Sequence, residues 1–249
     1  MRGKVFRSSD PCVYCGSPSK PGKGDHVIAQ GFFPTGSHKA GYIPICVPAC
    51  AKCNCQFSAD EEYAIHTITM DYRCQENPYA VAVFNERCVP GFVRSKGKLA
   101  KIIGSGGKTV AVKTRCGVIR EDHKAITIDP QRIERVVEKI VRGLHYHEFG
   151  RPVPEGATIN FRININVKIF ESVAFRQFVN STPGERVIDD GQVFRYIYGE
   201  ATDKPGASAW AMAFYCAYPV LAWVFPPGHM QSQIAYVETI PHIWTPGDL

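Results

Sequence analysis

A chain of 249 residues, 45% hydrophobic and 11% aromatic, can bury a proper core and is expected to fall into two unequal parts. Ten cysteines in a chain of this length, four of them in Cys-x-x-Cys pairs, suit a metal in a reducing cytosol rather than a disulfide scaffold, so a cytoplasmic location is expected. The formal net charge of +6 is unevenly spread, and its concentration in one stretch points to an anionic partner.

The first ten residues carry Arg2, Lys4 and Arg7 without an apolar segment and are not expected to be a secretory signal. Cys12, Cys15, Cys50 and Cys53 follow as two pairs at two-residue spacing, the thiolate arrangement that closes a tetrahedral zinc site. The remaining cysteines (Cys46, Cys55, Cys74, Cys88, Cys116 and Cys216) read as small buried hydrophobes, with Cys46 and Cys55 near enough to the pairs to substitute in them. Residues 16–24 form a loop by composition and lead into a short strand over Asp25-His26-Val27-Ile28. Neighbouring strand residues face opposite ways, so Asp25 and His26 can share a site only at a strand end or distortion, which Gly24 would permit. Residues 31–42 form a second loop, and Ile43 to Ala49, interrupted by Pro44 and Pro48, reads as an edge strand. Ser58-Ala-Asp-Glu61 has the capping-box pattern and opens a helix to about residue 72, with Glu61 and Glu62 read as first-turn acids rather than metal ligands.

The string Cys12-x-x-Cys15-Gly16, Asp25-His26-Val27-Ile28 and Val47-Pro48-Ala49-Cys50-x-x-Cys53-Asn54, followed by Phe57-Ser58-Ala59-Asp60-Glu61-Glu62-Tyr63, resembles the HNH endonucleases of the ββα-metal class. The resemblance covers the first quarter of the chain, and Ile45 stands where many members carry an asparagine. It implies a β-hairpin and helix stapled by zinc. Asp25 would bind a catalytic Mg²⁺ or Mn²⁺, His26 would be the general base, and Asn54 a further ligand to that ion.

Beyond the hairpin, residues 77–87 read as a short helix. From Arg87 to Arg120 nine positive charges occur without Asp or Glu, so the rest of the chain sums to −3. Within this stretch Leu99 to Ile103 and Thr109 to Lys113 read as strands joined at Gly104-Ser-Gly-Gly107. A basic hairpin of this kind can track a phosphate backbone, which nominates Arg94, Lys96, Lys98, Lys101, Lys108 and Lys113 as nucleic-acid contacts. The same glycines lack the spacing of a nucleotide-binding P-loop, and Val110-Ala-Val112 reads as strand where that motif needs a helix. Asp129-Pro130 is a helix start, and Ile133, Val136, Val137, Ile140, Val141 and Leu144 form an apolar stripe to about His145, with Arg132, Arg135, Lys139 and Arg142 on the far, solvated side. His145 and His147 read as helix-end residues. Strands are expected over 158–167, 192–199, 209–218 and 220–225, with Pro219 dividing the last two. The uncharged run 207–225 alternates large and small residues at period two, which favours a core hairpin over a membrane span.

The expected fold is α+β: a zinc-stapled ββα module over residues 1–76, then a basic antiparallel β-sheet and helix domain over residues 77–249. The expected activity is metal-dependent hydrolysis of nucleic acid, DNA being the expected form. The rival is a non-catalytic zinc-stabilised nucleic-acid-binding module. No membrane partner is expected.

Overall fold

Pro44 and Pro48 limit the length of the N-terminal hairpin, because neither can donate to a strand ladder. The computed structural model describes residues 5–22, 24–37, 44–96, 108–113, 117–124, 128–163, 184–188, 191–201 and 204–228. In it β1 (Asp25–His26) pairs antiparallel with β2 (Cys46–Val47), Asp25 opposite Val47 and His26 opposite Cys46. Both strands are shorter than the sequence suggests. Gly24 enters β1 at φ 76°, and a Cβ there would lie 2.3 Å from the Val47 carbonyl oxygen, so no other residue fits this turn without displacement.

Helix α1 (Ala51–Gln56) follows at once and runs into α2 (Ser58–Met70) through Phe57. The capping box does not form. Ser58 is already inside the helix, and Phe57, at the cap position, gives no side-chain bond. The sequence pattern is overruled because a helix precedes it, and the cap falls instead to Cys50, whose sulfur accepts from the Cys53 N–H at 3.4 Å.

After a 3₁₀ segment at Tyr72–Glu76, Asn77 caps α3 (Pro78–Val83) by accepting from the N–H groups of Tyr79 and Ala80, while its amide donates to the carbonyls of Gln192 and Tyr215. The helical run continues beyond the expected end, through a π turn at Phe84–Cys88 into α4 (Val89–Arg94). Pro90 accounts for the π turn. It has no N–H for the Glu86 carbonyl and its ring would clash there, so the backbone widens by one residue.

Strand β3 (Thr109–Lys113) pairs antiparallel with β4 (Ile119–Lys124). The expected strand at 99–103 and the glycine turn at 104–107 lie outside the described residues. Helix α5 (Pro130–Phe149) is capped by Asp129, whose carboxylate accepts from the Gln131 N–H, and ends at Gly150 in the left-handed region. It extends four residues past the expected end, so His145 and His147 lie within it. His145 is buried, with Nδ1 on the Arg151 carbonyl, and burial pushes its pKa down.

The main sheet has five antiparallel strands in the order β5-β9-β8-β7-β6: β5 (Thr158–Ile163), β6 (Arg186–Ile188), β7 (Phe194–Glu200), β8 (Ser208–Phe214) and β9 (Tyr218–Phe225). Residues 164–167 of the expected first strand lie outside the described residues. The β8–β9 turn is made by Tyr215-Cys216-Ala217, with positive φ at Tyr215 and Cys216, and Pro219 lies inside β9 opposite Ala213 rather than dividing the strands. Trp210, Met212 and Phe214 face the core as the period-two pattern implies, and Trp210 packs on His145 and Phe149 of α5. Among the described residues no helix is long and apolar enough to cross a membrane, and the uncharged run is this hairpin.

The fold is a mixture of helices and antiparallel sheets, as expected. A single apolar cluster runs from Val13, Val27 and Ile28 through α2 and α5 to the inner face of the sheet at Val224. Of the other cysteines, Cys74 and Cys88 are buried and Cys46 is half-buried. Cys55 and Cys216 are exposed, contrary to expectation.

Candidate functional site

The two Cys-x-x-Cys pairs meet at the base of the hairpin. Val13 N–H donates to the Pro48 carbonyl at 3.0 Å, and Lys20 N–H to that of Ala49 at 2.8 Å, which fixes one pair against the other. The ligand atoms of Cys12, Cys15, Cys50 and Cys53 all lie within 4.8 Å of one another, and the Cys15 and Cys50 sulfurs are 3.7 Å apart. Four sulfurs about 2.3 Å from a tetrahedral zinc stand roughly 3.8 Å from each other, so the donors fit such an ion. Burial raises the Cys12 and Cys53 thiols, while hydrogen bonds from Ser17 bring Cys15 down to about 6. Cys46 and Cys55 are not part of the group.

A cleft of about 520 Å³ opens beside this cluster, and both Asp25 and His26 line it. A strand of only two residues entered from Gly24 lets adjacent side chains reach the same space, as the alternation argument requires. Asp25 is buried, and its Oδ2 accepts from the Tyr14 hydroxyl at 2.7 Å and faces the Lys139 ammonium at 2.9 Å. Burial, and the adjacent Asp25 charge, keep the Tyr14 phenol protonated well above its usual range. His26 Nε2 lies 2.9 Å from the Gln30 amide nitrogen. This contact orients the imidazole, a side chain able to serve as a general base.

Lys139 is the residue sequence reasoning misplaced. Its side chain is 2% exposed, not solvated, and its Nζ donates to the His26 carbonyl at 2.8 Å and bonds the Glu61 carboxylate as well as Asp25. An ammonium has three donors, and all three are used. The approach depends on Gly143, one turn further along α5, where a Cβ would stand 2.7 Å from Val27 Cγ2. The other members of the supposed solvated face are also engaged: Arg132 and Arg135 grip Asp60 of α2, and Arg142 pairs with Glu138. Glu61 therefore carries a tertiary ion pair rather than a cap.

Asn54 is exposed on α1, with its N–H on the Cys50 carbonyl, and is not among the residues lining the cleft. Cys53 turns toward the sulfur cluster, and the next position is about 100° round the helix. The carboxylates that do line the cleft are Asp25, Glu61, Glu62 and Glu86. A Mg²⁺-type ion takes one or two carboxylates and completes its shell with water and substrate phosphate. Asp25 meets that requirement, since among the described contacts its Oδ1 has none. Among the described residues, only the four cysteines group three or more metal-ligating side chains.

Of the expected nucleic-acid contacts, Arg94 at the end of α4 lines the same cleft. Lys96 and Lys108 are exposed and do not line it. Lys98, Lys101 and the side chain of Lys113 lie outside the described residues. Comparisons with protein-family models, with curated proteins and with solved structures find no match.

Proposed function

We propose that the protein is an HNH-type endonuclease that hydrolyses phosphodiester bonds in nucleic acid, DNA in the first instance. The observation that carries this reading is the convergence of Asp25 and His26, adjacent in sequence, on one cleft, with the His26 ring 2.9 Å from the Gln30 amide. In the reaction His26 takes a proton from water, and the resulting hydroxide attacks the phosphorus in line with the departing oxygen. Asp25, held by Tyr14 and Lys139, would bind a Mg²⁺ or Mn²⁺ ion, with Glu61 alongside. When bound, that ion supplies positive charge to the phosphate and the leaving oxygen. Zinc in the four-cysteine group would do no chemistry. It would tie the hairpin to α1 and so keep Asp25 and His26 in place. A reducing cytoplasm suits this cluster.

The test is plasmid cleavage in Mg²⁺ or Mn²⁺ by the parent and by His26→Ala. The variant removes the base but no cysteine and no carboxylate, so it should keep its zinc, fold and affinity for nucleic acid. Cleavage should fall by about 10²–10⁴-fold. A His26→Ala protein that cuts as well as the parent would leave the zinc-stabilised binding module as the reading of this site.

A further inference from the structure

The same cleft holds a second group of side chains that the hydrolytic reading does not use. Arg87 comes from the π turn, Arg94 from the end of α4 and His66 from α2. His66 is 3% exposed, and its Nδ1 bonds the Glu62 carbonyl at 2.7 Å. Its Nε2 and the Arg87 Nε are both buried, and among the described residues neither has a hydrogen-bond partner. The Arg87 guanidinium makes one long bond, 3.4 Å to the Phe33 carbonyl. A buried donor left without a partner is costly, so the Arg87 Nε in the wall of this cleft points to a group that arrives from outside. A π turn is a common device for re-aiming side chains at such places.

We propose that Arg87 and Arg94, in the part of the cleft that His66 also lines, form a phosphate subsite that holds the phosphate next to the scissile one. The proposal rests on the reading of Asp25 and His26 as a phosphodiesterase centre. His66 lies five residues beyond Glu61 on α2, roughly 7.5 Å of helical rise, which is about one nucleotide step along a strand. The planar guanidinium fork of Arg87 suits two phosphate oxygens, and Arg94 adds a second cation in the same cleft. Two acids share this part of the cleft. Glu86 is held by the Thr35 N–H at 2.7 Å, and Glu62 is exposed. Arg87 and Arg94 balance these two carboxylates in charge, and the Thr35 N–H occupies the Glu86 carboxylate.

The first arm of the test follows the Arg87 Nε–H resonance in ¹⁵N-labelled protein, assigned with Arg87→Gln, during titration with dimethyl phosphate in the absence of divalent metal. The signal should move, and the movement should shrink at least severalfold in Arg94→Gln. The second arm is kinetic. Arg87→Gln should raise KM for an oligonucleotide by about tenfold or more, the usual effect of one charged hydrogen bond, with kcat little changed. The same variant should hydrolyse bis(p-nitrophenyl) phosphate, which has no neighbouring phosphate, as the parent does. An Arg87 resonance that ignores dimethyl phosphate, or an equal loss on both substrates, overturns the subsite. If the resonance moves but the parent cleaves neither substrate, the subsite stands and the nuclease reading falls.

Discussion

Replacing Lys139 by methionine keeps most of the side-chain volume and removes the one ammonium that bonds Asp25, Glu61 and the His26 carbonyl. Asp25 and Glu61 are 9% and 16% exposed at their side chains, so water replaces the lost partner only in part. Breaking a buried ion pair by deleting one partner costs about 3–5 kcal/mol. Three separate charged hydrogen bonds would sum to more, but the carboxylates regain some solvation from the cleft, which holds the loss within that range. For a chain of this size the melting point should drop by roughly 6–20 °C. Urea unfolding is the better assay, because a lower midpoint at unchanged slope isolates stability from compactness. The double variant Lys139→Met/Glu61→Gln tests the cause: with one carboxylate neutralised, at least about 1 kcal/mol should return. A single variant within about 1 kcal/mol of the parent, or a double variant worse than the single, would refute the claim that Lys139 neutralises this pair of acids.

Three further outcomes follow. Elemental analysis should find about one zinc per chain, and Cys53→Ser should lose both the metal and the cooperative unfolding transition; a folded, metal-free parent protein would contradict this. Gly143→Ala should destabilise by about 1–3 kcal/mol despite alanine's better helix propensity, because the added methyl meets Val27 at 2.7 Å, and a neutral or stabilising result in urea would show that the hairpin yields. Asp60→Asn should cost about 1–2 kcal/mol at pH 7. The Arg135 hydrogen bond, with Arg132 adding to it, holds the Asp60 carboxyl below its usual range. A depressed value contributes stability above the unfolded value near 3.9 and loses it as pH falls through the folded one, so the gap between parent and variant should close in acid unfolding curves. A gap that does not depend on pH would mean that the ion pair is not its source.

The features legible in the sequence are those fixed by short spacing. Two Cys-x-x-Cys pairs bring four sulfurs together because each pair is local and Val13 and Lys20 lock one to the other. The Asp129-Pro130 start and the apolar stripe of α5 depend on helical periodicity alone. Lys139 was not legible. At 100° per residue it lies roughly 130° from the centre of the stripe, where a lysine normally meets water. It is buried because α5 is covered on two sides, by the sheet and by α2 with the hairpin, and a wheel drawn from one apolar stripe describes one side. The turn at Tyr215-Cys216 was equally hidden, since neither residue favours positive φ. What holds it is tertiary: the Tyr215 carbonyl accepts from Asn77, and its hydroxyl donates to the Phe32 carbonyl at 2.8 Å.

These contacts also explain why the site does not belong to the hairpin alone. Two strands of two residues each have too few ladder bonds to fix the direction of Asp25 and His26, and the four-cysteine group holds only their base. Orientation comes from elsewhere in the chain. Lys139 reaches both the Asp25 carboxylate and the His26 carbonyl from α5, so one ammonium fixes a side chain and the peptide beside it. Tyr215, in the β8–β9 turn, holds Phe32 at the end of a short 3₁₀ segment, Gln30–Phe32, whose first residue is the partner of His26. The sheet and α5 thus brace the hairpin from behind, while α2 and the π turn shape the cleft in front. A chemical group that must hold a proton-accepting nitrogen at a fixed point gains from bracing that is distant in sequence, because such contacts form only when the whole core has assembled.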